Sequence, residues 1–140
     1  MIFTIAKYLW IIGSLPLIIL GMIHLMYTFF TNKFSSRNKV VEQEMKTSFP
    51  VLTRATTMWK AWIGFNASHS AGCIYIGVIN LIVAIKYEVV LQSKEFLLLN
   101  IVTILFYCWL AEKYWFRIPL IGVLITTCCF IAAGVLISIS

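Results

Sequence analysis

His24 and His69 are the only two histidines in a chain of 140 residues, and each sits inside a long apolar run. An imidazole at membrane depth is costly unless it has a partner, so it marks a candidate site whose partner should be sought nearby. Asn66, His69 and Cys73 follow one another at steps of three and four residues, and Asn80 comes two turns later. That spacing puts all four on one stripe of a helix, facing the interior of a bundle or a polar cavity. Tyr27 stands one turn beyond His24, and Cys108 and Glu112 stand one turn apart in the third apolar run. Three chemistries fit these side chains. Two imidazoles on neighbouring helices can ligate the iron of a b-type haem. His24 and His69, with Cys108 or Glu112, can hold a transition metal such as zinc, copper or iron. A histidine can also act as acid or base in a pocket for an apolar ligand. In each case Asn66 and Tyr27 are the hydrogen-bonding partners that would orient the rings. A purely structural cluster, fixing helix register, uses the same residues.

Those residues must be positioned by membrane-spanning helices. Hydrophobic residues make up 61% of the chain and charged ones 11%, against about 45–50% and about 25% in ordinary globular domains. Four runs, at 8–30, 61–85, 96–114 and 118–139, match the about 20 helical residues that cross a hydrocarbon core. Alternating strand patterns are absent, so the expectation is an all-α, polytopic membrane protein of four antiparallel helices forming one domain over 1–140. Counting from the midpoints of the first two spans at 1.5 Å per residue, His24 lies about 7 Å and His69 about 6 Å toward the same face. The two imidazoles therefore fall at matching depth on consecutive helices.

The net charge of +6 reads as a topology signal and not as a nucleic-acid surface. Lys33, Arg37, Lys39, Lys46, Arg54, Lys60, Lys113 and Arg117 fall on one side, and only Lys7, Lys86 and Lys94 on the other. By the positive-inside rule the termini face out and the 31–60 connection is cytoplasmic, near anionic lipid head groups. The first run is too long for a signal-peptide core and lacks a small-x-small cleavage site, so it reads as a permanent span. The four cysteines all lie in spans and read as packing residues. No carboxylate lies deep in a span, which argues against a proton-coupled exporter. P-loop, dinucleotide and serine-elbow motifs are absent, and the connection is too short to be a catalytic domain.

Aromatic residues mark the interfaces: Tyr8 and Trp10 on the outer side, Trp59 and Trp62 on the inner, with Tyr87 and the Tyr114–Phe116 trio closing the later spans. The stretch 38–49 reads as an amphipathic helix with a Glu42/Lys46 pair, and Ser48 and Pro50 read as the start of the next helix. Gly64, Ser68 and Gly72 recur every four residues, a small-residue face suited to close helix packing with a membrane partner or a second copy.

The segments "MWKAWIGFNASHSAG" (58–72) and "GMIHLMYTFFTNKF" (21–34) resemble the hallmark segments of a group of small, uncharacterised bacterial four-helix integral membrane proteins. The resemblance implies a bacterial inner-membrane location and a signature containing His24, Trp59, Asn66 and His69; it implies no activity. Two functions follow from the residues. One is a site at His24/His69, in the cytoplasmic half, for a metal, haem or apolar ligand. The other is a non-catalytic accessory or scaffold subunit of a larger membrane complex.

Overall fold

The computed structural model describes residues 1–140 and is all-helical. Its elements are α1 (Ile2–Phe30), α2 (Lys39–Thr47), α3 (Met58–Lys86), α4 (Glu88–Leu91), α5 (Lys94–Tyr114) and α6 (Arg117–Ser138). Four of them, α1, α3, α5 and α6, are long and apolar enough to cross a membrane. The chain is a small membrane-spanning helical protein in contact with lipid.

Boundaries follow local chemistry. Ser93 caps α5, its side chain accepting from the Phe96 amide at 3.3 Å. Pro119 sits in the first turn of α6, where a backbone N–H has no intrahelical partner to lose. Pro16 is inside α1 and removes one ladder bond there. α1 begins at Ile2 and not at Tyr8, since residues 2–7 continue the apolar run and Lys7 pairs with Glu88 at the start of α4. The short α4 carries no periodic signal in the sequence.

Helix α3 starts eight residues later than the sequence suggests. Ser48 closes α2, its amide donating to Glu44 O, instead of opening the next helix. Residues 48–57 form a loop with both ends tied, since the Met58 amide donates to Ser48 O at 3.0 Å. Thr53 and Thr57 hydroxyls accept from the amides of Ala55 and Lys60. Such local side-chain bonds compete with helix, which is why "TRATT" stays outside it. The Glu42/Lys46 pair is present at 2.7 Å.

Two compact units are distinguishable: 1–20 with 73–140, and 21–72. In the first, Trp10 is completely buried and stacks on Phe130, centroids 4.1 Å apart and planes within 3°. This corrects its assignment to the outer aromatic belt. A buried indole needs a partner for its N–H, and Trp10 Nε1 donates to Asn80 Oδ1 at 2.8 Å. Asn80 Nδ2 donates to Asn100 Oδ1 at 2.6 Å and to Ile76 O, while Asn100 Nδ2 donates to Phe96 O. The polar atoms of this chain are thereby satisfied. α5 and α6 pack against each other, with Ile104, Val123, Phe130 and Ala133 in the core.

Lipid tails are as apolar as leucine, so close packing and not water exclusion holds such helices together. Glycines permit it where the backbones converge. A Cβ at Gly77 would lie 3.0 Å from Ser14 O and 3.1 Å from the Ile18 amide, and one at Gly13 would lie 2.7 Å from Cys129 Cβ.

Candidate functional site

The second unit holds the end of α1, the following loop, α2 and the first half of α3. It brings His24 and His69 together, with ring centroids 5.6 Å apart and planes at 74°, edge to face. Both rings are partly buried. Asn66 Oδ1 lies 3.0 Å from His24 Nε2.

The orientation of that amide is set from its own helix. Asn66 Nδ2 donates to Trp62 O, one turn earlier, at 2.8 Å. The amide nitrogen is thus committed to backbone, and the oxygen is turned to His24. An amide oxygen only accepts, so His24 Nε2 donates in this contact, and in the corresponding neutral tautomer the lone pair is on Nδ1. Below the pair, Ser70 Oγ donates to Asn66 O at 2.8 Å and Thr28 Oγ1 donates to His24 O at 2.8 Å. These bonds tie hydroxyls to carbonyls within the helices and leave the imidazole chemistry untouched.

Phe34 covers His24, with centroids 4.3 Å apart and a 32° tilt. Its backbone is pinned in turn, because Trp62 Nε1 donates to Phe34 O at 3.1 Å. Trp62 therefore serves the cluster twice, through its carbonyl on Asn66 and its indole on the Phe34 loop. Tyr27 meets the edge of Phe34 at 6.5 Å; it braces the cover, whereas its sequence position suggests a hydrogen bond to a histidine. Phe34 carries no periodic signal, and its only mark in the sequence is an isolated aromatic in a polar loop.

The larger ligand set does not assemble. No group of three or more His, Cys, Asp or Glu side chains comes together to hold a metal. Cys108 packs against the apolar core of the first unit, and Glu112, on the last turn of α5, is exposed. Within the second unit the two histidines meet. Within the first unit, a void bordered by Cys73, Asn100, Thr103 and Tyr107 measures about 10 Å³, room for a single water at most. Tyr107 and Cys73 are hydrogen-bonded to each other there.

Of the small-residue face on α3, the Gly64 and Ser68 positions are open and Gly72 is half-buried. A Cβ at Gly64 would meet nothing within 4 Å. The close approaches fall instead at Gly13, Gly77 and Gly122, where the added carbon would strike Leu20.

No family model, curated protein or solved structure matches this chain.

Proposed function

We propose that this is an integral membrane protein of the bacterial inner membrane that binds a transition metal, as an ion or as haem iron, between His24 and His69. The observation that carries the reading is the Asn66 contact with His24 Nε2. Imidazoles that ligate metals characteristically donate their other ring N–H to a fixed acceptor, which sets the tautomer and raises the basicity of the ligating nitrogen. Asn66 is that acceptor, and Nδ1 is the nitrogen left for a metal. Metal–imidazole bonds of about 2.0–2.1 Å would put two ligating nitrogens about 4 Å apart in a linear arrangement and about 3.3 Å apart in a tetrahedral one. Ring centroids 5.6 Å apart suit one ion held at a bent angle, whereas trans ligation of haem iron would need the rings to move apart. Two protein ligands suit a metal that accepts low coordination or one that brings further ligands, as haem iron does. Zinc in a closed four-ligand structural site does not fit.

The termini face outward and the 31–60 connection faces the cytoplasm, on the eight-to-three distribution of basic residues. The site then lies in the cytoplasmic half, beneath Phe34. A second reading, an accessory subunit docked through α3, draws on the open face at Gly64 and Ser68. Titration of the purified protein with copper and zinc ions, and with haemin, separates the two. Under the metal reading, His24→Ala and His69→Ala each abolish saturable binding while Gly64→Leu leaves it intact. Under the accessory reading no variant binds, and Gly64→Leu alone disrupts a co-purifying assembly.

A further inference from the structure

We infer that the loop 48–57 is a wedge that inserts into an anionic lipid surface, with Val51 and Leu52 as its tip. The Thr53 amide donates to Pro50 O at 3.2 Å, which makes Val51 and Leu52 the two central residues of a β-turn. Gly, Asn, Asp and Ser dominate such positions because they accept turn geometry and solvent. Here the tip is two branched hydrophobes instead, with Leu52 93% exposed and Val51 wholly so. Phe49 adds a third apolar side chain, also exposed.

The loop is not a loose strand that happens to show its side chains. Met58 N–H to Ser48 O closes its base, and Lys46 Nζ lies 5.1 Å over the Trp59 ring, joining α2 to the first turn of α3. A tied base with an apolar tip presents a fixed projection. Its neighbour in sequence is a membrane span, α3, which begins at Met58. The tip is only six residues from that start, a reach of about 20 Å at full extension. It is therefore held beside the layer of head groups through which α3 enters.

Charge selects the lipid. Arg54 follows the tip by two residues and Lys60 stands in the first turn of α3; both are exposed, as are Lys33 and Arg37 on the preceding loop. On α2, Glu42 is already paired with Lys39 and Lys46, and Glu44 is exposed one turn before Ser48. Each basic side chain close to an anionic leaflet strengthens attachment about fivefold. Apolar tip residues buried at the head-group boundary and cations around them are the pattern of interfacial anchoring. The anchor would hold the Phe34-to-α3 segment steady above the histidine pair, but its own test does not depend on any ligand there.

The test uses full-length protein with Leu52→Cys, labelled by a membrane-impermeant, polarity-sensitive maleimide, with unsubstituted protein as the labelling blank. The protein is reconstituted in phosphatidylcholine vesicles and in phosphatidylcholine mixed with phosphatidylglycerol. A blue-shifted emission, protected from aqueous iodide, is the expected result in the mixed vesicles. Arg54→Glu with Lys60→Glu should reverse both the shift and the protection, as should high salt. An unshifted, fully quenchable probe in both vesicle types would overturn the inference and leave the tip for water or a soluble partner. An equal shift in both, insensitive to charge reversal, would overturn the role of anionic lipid. Because Leu52 makes no buried contact, misfolding of the labelled variant is not a competing explanation; an unchanged far-UV circular dichroism spectrum checks this.

Discussion

Asn66 Oδ1 lies 3.0 Å from His24 Nε2, bridging 42 positions of sequence, and its amide nitrogen is held by Trp62 O one turn earlier. One asparagine thus reads its own helix with one atom and the imidazole of another helix with the other. Asn66→Leu removes the acceptor and leaves both histidines in place. It should lower metal affinity about 10–100-fold while leaving the helical content unchanged, as measured by competition titration against a chelator of known affinity. Equal affinity in the variant would show that the amide does not set the ligating nitrogen.

The Trp10–Asn80–Asn100 chain does a different job, in a unit that contains neither histidine. Asn80→Ala strands the Trp10 indole N–H and the Asn100 oxygen in the buried core. The expected loss is about 1–2 kcal/mol, between the typical worth of an interhelical polar contact in membranes and the cost of an unsatisfied buried group. Reversible unfolding in mixed micelles measures it, and metal binding by the folded fraction should be unaffected.

Two glycines of α3 should respond in opposite ways. Gly77→Val drives a side chain into Ser14 O and the Ile18 backbone, neither of which is the end of a flexible side chain. Its melting temperature should fall by several degrees, the signature of an overpacked core. Gly64→Ala enters open space and adds helix propensity of up to about 1 kcal/mol, so its melting temperature should hold or rise.

Glu42 gives α2 a pH dependence. Its hydrogen bonds to Lys46 and then Lys39 hold its carboxyl below the usual 4.5. A carboxyl whose folded value is depressed contributes stability that is fully present above the unfolded value and is lost as pH falls through the folded one. Hydrogen exchange of the 39–47 amides should therefore be slow relative to Glu42→Gln near neutral pH. The difference should close below pH 4.5. A constant difference across that range would assign the protection to something other than the carboxylate.

The meeting of His24 and His69 was legible because helix rise converts sequence position into depth, and both residues count to the same level. The stripe from Asn66 to Asn80 was legible for the same reason: Cys73 and Asn80 are buried, and Asn66 and His69 partly so. Trp10 was misread because an indole suits both an interface and a buried site with an acceptor, and Asn80 and Asn100 supply the second without any local sign. Cys108 and Glu112 stand one turn apart in the third apolar run, but that spacing leaves rotation about the helix axis open, and no metal-holding group of three forms. The late start of α3 comes from threonine hydroxyls capping amides, a local competition that hydropathy does not register.

The most direct measurement is the visible absorption spectrum of gently extracted protein, oxidised and reduced, with elemental analysis of the same sample. The account predicts a stoichiometric transition metal that is lost in both His24→Ala and His69→Ala while the variants stay folded. A Soret band that disappears with the metal would identify the occupant as haem, and its absence would identify a bare ion. A folded, metal-free sample that also takes up no copper, zinc or haemin on titration, or a metal that survives both substitutions, would contradict the assignment of the histidine pair as a metal site.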